Sequence, residues 1–257
     1  MATQTQFGAL TLRTCHTVGE FRQVFALQKE VWSFSDAELV PVRIFVVAEK
    51  IGGHVIAALE GNEMVAFAFD LPGVRNGHVY LHSHMLAVRE QYRNSGIGRR
   101  LKMMQRDIAL ETGIELIEWT FDPLEIKNAF FNVEKLGAIA RRYVVNQYGI
   151  TTSPLQGGLP SDRLVAEWWL RSKRVQTLLE HGKHPPVRAE QGVSVPHEIY
   201  RWKTEDATRK SAAELQHRNR EALQSAFSSG LSVLGYKRDE QGNGTFELAR
   251  WDEGLLL

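Results

Sequence analysis

Leu86-Ala87-Val88-Arg89-Glu90-Gln91-Tyr92-Arg93-Asn94-Ser95-Gly96-Ile97-Gly98-Arg99-Arg100-Leu101 is the stretch that decides the fold. An apolar strand end runs into a glycine turn, and the turn opens onto a basic amphipathic helix. Gly96 and Gly98 carry no side chain to block a ligand, so successive backbone N–H groups converge where the helix dipole is positive. Arg93, Arg99 and Arg100 add countercharge at the same place. Such a turn is built to hold a pyrophosphate. Leu101 stands where a dinucleotide fingerprint needs its third glycine, which disfavours a nicotinamide-dinucleotide fold.

Working outward, the pattern predicts a strand over 80–88 and a helix over 98–111, with Leu101, Met104, Ile108 and Ala109 on its buried side and Gly113 after its end. Upstream, residues 10–15 read as a strand. Residues 18–32 read as a helix, because Phe21, Val24, Phe25, Leu27, Val31 and Trp32 recur at helical spacing, and a second helix covers 42–50. Strands over 54–60 and 64–70 meet at Gly61-Asn62, a two-residue hairpin signal. Downstream come a strand over 114–120 and a helix over 124–136, with Asp122 as its cap, Pro123 in its first turn and Gly137 as its stop. Strands over 138–148 and 163–170 follow.

The 257 residues are 43% apolar and carry a formal net charge of +1, so a sizeable core can form and no bulk attraction to nucleic acid or acidic membranes is expected. Cys15 is the lone cysteine, which excludes an intramolecular disulfide and any cysteine-based zinc cluster. Residues 1–12 lack the basic and apolar regions of a secretory signal. The apolar stretch over 44–59 is broken by Glu49, Lys50 and two glycines, short of the roughly 20 apolar residues of a membrane span. The expectation is a soluble cytoplasmic protein.

Arg93-x-x-Gly96-x-Gly98 after a Leu-Ala-Val strand end resembles the acyl-CoA loop of the GNAT N-acyltransferase superfamily, and the element order over residues 1 to about 172 is similar to that fold's order. The resemblance implies an α/β (α+β) fold with a mixed central sheet flanked by helices. It also implies an acyl-CoA-dependent N-acyltransferase using acetyl-CoA or another acyl-CoA, held by Leu86, Ala87, Val88, Arg93, Asn94, Ser95, Gly96, Ile97, Gly98, Arg99 and Arg100. Residues 173–192, with glycines and Pro185-Pro186, read as a linker. A strand over 193–202, a helix over 206–228 and a hairpin of 231–236 with 245–251 make 193–257 a small β-α-β-β extension, packed on the main domain or on a second subunit of a homodimer.

His82 and His84 precede the phosphate loop on a strand, where period-two alternation points both to one side. The segment is similar to the serotonin N-acetyltransferase branch of the superfamily, in which two histidines at this place serve the deprotonation of the amine. His84 is thus the expected base, with His82 sharing a water or proton; a merely polar strand face is the competing reading. A backbone N–H near Leu86 or Val88 would hold the developing oxyanion. The two histidines have no evident third ligand for a metal.

Many GNAT enzymes place a proton-donating tyrosine four residues before the glycine that closes the fourth helix; here that position is Val133. Tyr143, Tyr148 or a water remain as donors. Asn128 and Asn132 are the expected contacts to the pantetheine arm. Segments around Trp119 to Leu124, Asn128 to Ala138 and Ser161 to Trp169 look like one GNAT subgroup with its own C-terminal extension, some relatives of which are associated with N-succinylation of amino acids. That resemblance implies a small-molecule amine as acceptor. Arg163 and Arg142 are candidates for a substrate carboxylate, and Glu167 for the substrate ammonium. The rival expectation is a non-catalytic acyl-CoA-binding regulatory module.

Overall fold

A computed structural model describes residues 10–251; residues 1–9, within the segment read for a secretory signal, and residues 252–257 lie outside the described part. Two compact units divide the chain, the first ending at Ile114 and the second beginning at Glu115. The boundary therefore falls inside the stretch read as one domain over 1–172.

The first unit contains β1 (Leu10–Thr14), α1 (Val18–Trp32), α2 (Val42–Lys50), β2 (His54–Glu60), β3 (Glu63–Arg75), β4 (His78–Val88) and α3 (Ile97–Glu111). Its strands pair antiparallel in the order β1-β2-β3-β4. Alternation along β2 and β3 supplies two apolar faces at once. Ala57, Leu59, Phe67 and Phe69 meet Phe21, Val24 and Leu27 of α1 and Phe45 of α2, while Ile56, Ala58, Ala66 and Ala68 meet Ile97 and Leu101 of α3. Each fully buried Leu or Phe here contributes about 2 kcal/mol relative to an exposed one.

A capping box starts α1: the Thr17 side chain accepts from the Glu20 N–H, and the Glu20 carboxylate accepts from the Thr17 and His16 N–H groups. Desolvation alone would raise the Glu20 pKa, but these donors outweigh it and bring it down to about 2. Cys15 follows β1 and is buried, which pushes its thiol up to about 12 and leaves it inert.

The second unit contains β5 (Leu116–Phe121), α4 (Ile126–Phe130), a π-wound turn over Phe131–Lys135, β6 (Ile139–Val144), β7 (Arg163–Trp169), α5 (Lys173–His181), β8 (Gln191–Val195), α6 (Ile199–Thr204), α7 (Arg209–Ser228), β9 (Leu231–Arg238) and β10 (Gly244–Arg250). Its strands follow the order β5-β7-β6-β9-β10-β8, and every pair is antiparallel. Ala140 of β6 pairs with Val233 of β9, so the strands expected as an extension continue the sheet of this unit.

Several expectations shift here. The helix expected over 124–136 starts at Ile126, because the Asp122 side chain accepts from the Leu124 N–H in a local turn and ion-pairs with Lys203 rather than capping a helix. Its second half is wound to i−5 bonding, with the Leu136 N–H donating to the Phe131 carbonyl. The strand expected over 193–202 stops at Val195 because Pro196 has no ladder donor, and residues 199–204 coil into α6 instead. The first half of the expected linker, residues 173–181, is α5, which buries Val175 and Leu178.

Candidate active site

The glycine loop before α3 takes the form its sequence predicts. Gly96 caps α3 with φ +85°, in the left-handed region that favours glycine, and Asn94 also sits at positive φ (62°). The first intrahelical bond of α3 runs from the Arg100 N–H to the Gly96 carbonyl, so the N–H groups of Ile97, Gly98 and Arg99 precede the ladder and point out of the helix end. A side chain at Gly96 would meet nothing within 4 Å, and one at Gly98 would meet only Leu86 at 3.6 Å and Val88 at 4.0 Å. Both positions are open cradles rather than packing requirements.

Arg93, Asn94, Ser95, Arg99 and Arg100 are exposed around this cradle. Arg93 Nε donates to the Val88 carbonyl at 3.2 Å, tying the loop back to the end of β4, and the Ser95 hydroxyl donates to the Tyr92 carbonyl. Ala87 is buried beneath the strand end, and Leu86 and Val88 pack against the α3 core. Open backbone donors, helix dipole and three arginines together fit a diphosphate.

Two residues upstream, β4 departs from simple alternation. The β3–β4 register runs Phe69↔Met85 and then Asp70↔Ser83, leaving His84 as an extra residue on a β-bulge. The His84 ring stands edge-on to Phe69 with centroids 6.1 Å apart, and the His82 ring lies 6.1 Å from it on the same strand. His84 is exposed, yet the protein packed against its ring disfavours the cation and lowers its pKa below the usual histidine value. The shift favours the neutral ring, the form able to accept a proton.

Beneath the bulge lies a buried polar chain that inspection of the sequence missed. Lys102 Nζ donates to Ser83 Oγ at 2.7 Å, Ser83 Oγ donates to Gln105 Oε1 at 3.0 Å, and Gln105 Nε2 donates to Asp70 Oδ2 at 2.8 Å. Asp70 Oδ1 in turn accepts from the backbone N–H of His54 and lies 2.9 Å from its Nδ1. Burial pushes the Lys102 ammonium down to about 7, with the Asp70 charge opposing the shift. A helix lysine normally reads as solvated, so the only hint was a run of polar residues, Lys102 and Gln105, one turn apart on the side carrying Leu101 and Met104.

The second unit holds the remaining candidates. Asn132 is buried in the π-wound turn; its Oδ1 accepts from Trp119 Nε1 at 3.2 Å, and its Nδ2 has no hydrogen-bond partner among the described residues. Asn128 is exposed on α4. Tyr143 donates its hydroxyl to Asp162 at 2.6 Å, and desolvation together with that bond raises its pKa, so its proton is committed within the unit. Tyr148 is half-exposed beside Thr120, with the Arg163 guanidinium over its ring at 5.5 Å.

Arg163 also donates to the Asp162 carbonyl and to Gln156, so it is held in place by its neighbours. Glu167, expected to hold a substrate ammonium, is instead 1% exposed, and both its oxygens accept from Arg141 and Arg142. Arg142 reaches a second buried carboxylate, Glu118. The β6–β7 register explains the gathering: Arg141 and Arg142 together oppose Val165 alone, a second bulge that brings both guanidiniums to the carboxylate face. Among the described residues, no group of three His, Cys, Asp or Glu side chains converges as metal ligands, and no helix is long and apolar enough to cross a membrane.

Residues 18–137 match the family model for the acetyltransferase (GNAT) family. No curated protein matches the chain. Among solved structures, a chain from Desulfovibrio desulfuricans assigned to the GNAT family is 17% identical with a TM-score of 0.51, the match covering 63% of this chain and 99% of that one. The yncA protein of Salmonella typhimurium, solved with its cofactor acetyl-CoA, is 15% identical with a TM-score of 0.50, over 63% of this chain and 95% of that one. The acetyltransferase of GNAT family from Streptococcus pneumoniae is 14% identical with a TM-score of 0.50, over 62% and 98%. At these identities the likeness is one of fold.

Proposed function

From the premise that residues 18–137 are a GNAT-family domain, an acyl-CoA-dependent N-acetyltransferase with acetyl-CoA as cofactor, we propose that the chain moves an acetyl or succinyl group to the primary amine of a small molecule, with His84 as the base. The observation that carries the reading is the bulge. It presents an imidazole whose pKa is lowered two residues before the strand end that feeds the glycine loop.

An ammonium cannot attack a carbonyl, so the acceptor must first lose a proton to a group that is unprotonated at working pH. His84 meets that condition because its desolvation disfavours the imidazolium. His82 lies two residues back on the same strand with its ring 6.1 Å away, and in this reading it shares a water or proton with His84. The N–H groups of Ile97, Gly98 and Arg99, with Arg93, Arg99 and Arg100, would hold the diphosphate of the coenzyme. When bound, the coenzyme supplies an acyl thioester activated toward amines. The Tyr143 proton is bonded to Asp162, so the reading assigns the base and leaves the leaving thiolate to solvent.

The support for a small-molecule acceptor is the subgroup resemblance of the sequence, and for a cytoplasmic setting it is composition. Thiol release from acetyl-CoA and succinyl-CoA, in parallel with pools of L- and D-amino acids and simple arylalkylamines, tests the proposal. Release that depends on one pool is expected and names the donor. Coenzyme binding without amine-dependent release from any pool would favour the regulatory module instead.

A further inference from the structure

The bulge at His84 is closed by one register pair, Asp70↔Ser83, and both members of that pair are bonded to α3. Ser83 receives Lys102 and gives its own proton to Gln105; Gln105 passes to Asp70. Lys102, Gln105, Asp70 and Ser83 are all buried, with Gln105 and Asp70 fully so. Burying an ammonium and a carboxylate here is costly compared with the apolar residues that fill the rest of the α3 face. Four buried polar side chains at one register pair therefore point to a requirement for geometry, because a fully satisfied polar chain fixes one arrangement where apolar packing tolerates several.

We infer that Lys102 and Gln105 are positioning residues for His84: by clamping Ser83 and Asp70 they hold the bulge that aims the ring, and they tie it to the helix whose first turn is the phosphate loop. The inference rests on the reading of His84 as the base. The ionisable groups packed around the bulge are His82 on β4, Asp70 on β3, Lys102 on α3 and, through Asp70, His54 on β2. None of the clamp residues needs to touch substrate. Their effect on the reaction passes through the ring they aim.

Two readouts separate this role from a merely structural one. The first is the titration of the His84 ring followed by NMR, which needs neither donor nor acceptor. In Gln105→Leu, or in the milder Ser83→Ala should the former fail to fold, a relaxed bulge loosens the ring from the protein packed against it, and its pKa should rise toward the ordinary 6.5. The second is a double-mutant cycle on thiol release with acetyl-CoA and the amine pool. Gln105→Leu or Ser83→Ala should lower kcat about tenfold with KM for acetyl-CoA within about twofold, and should have no further effect in a His84→Ala background. Ser83→Thr, which keeps the hydroxyl, should recover most of the Ser83→Ala loss.

Clamp variants that lose thermal stability while the ring titration and kcat stay put would overturn the inference and leave His84 as base. An equal loss of kcat with and without His84 would overturn it too. If His84→Ala alone leaves kcat unchanged, the base reading falls and this inference with it.

Discussion

The two bulges make an instructive pair. In β4 the extra residue is His84, and the polar groups that fix it, Lys102, Gln105, Ser83 and Asp70, are sealed inside the first unit. In β6 Arg141 and Arg142 together face Val165, one residue more than the partner strand, and their charges stay at the surface, with side chains 36% and 38% exposed over the buried Glu118 and Glu167. The first arrangement hides its charges to aim one neutral ring. The second hides only the carboxylates and keeps two cations at the solvent boundary. A bulge re-aims side chains in both cases, but the first keeps its supporting charges out of water, whereas solvent screens the half-exposed pair of the second.

Several substitutions sharpen or break that contrast. The largest effect belongs to His84→Ala, for which steady-state thiol release should fall on the order of a hundredfold or more while acetyl-CoA binding stays within about twofold. In the unaltered protein the rate should hold to lower pH than an ordinary histidine allows, since the lowered pKa keeps the ring neutral below pH 6.5. A rate half-lost well above that pH would contradict the desolvated ring.

Glu167→Gln comes next, as the breaking point of the second bulge. It leaves Arg142 on Glu118 and takes from Arg141 the carboxylate charge it pairs with, and chemical denaturation should show a loss of about 2 kcal/mol, moderated by the water that reaches both guanidiniums. No loss would mean that the exposed pair contributes nothing beyond the sheet itself.

Lys102→Met has the subtlest consequence, a change of slope. The ammonium is held down to about 7 in the fold against 10.5 in its free state, so the unfolded chain binds the extra proton between those values and stability should rise with pH across that window. Below pH 7 both states are protonated and the slope vanishes. The Met variant should lose the rise between pH 7 and 10.5; an unchanged slope would place Lys102 in contact with water.

Most of the first unit was legible because its signals are local. Phe21, Val24, Phe25, Leu27, Val31 and Trp32 recur at helical spacing along α1, Gly61-Asn62 joins β2 to β3, and Gly96 with Gly98 announces the loop before α3. What stayed hidden depends on partners far along the chain. Period-two alternation placed His82 and His84 on one side but could not show the slip of register at Phe69/Asp70 that leaves His84 unpaired. Asp122 read as a helix cap because its partner Lys203 lies in a distant segment. Glu167 read as a free carboxylate because the arginines that cover it arrive through the β6 bulge.

The central claim is that the loop from Arg93 to Arg100 holds the coenzyme, and Gly98→Ala tests it most directly. A methyl group there meets only ordinary contacts from Leu86 and Val88, and Gly98 has a helical backbone, so folding should be unharmed or strengthened by about 0.5 kcal/mol. Calorimetric titration with acetyl-CoA should nevertheless show affinity falling at least about tenfold, because the added methyl stands where the phosphate must approach the backbone. Equal affinity in the two proteins would contradict the placement of the coenzyme at this loop.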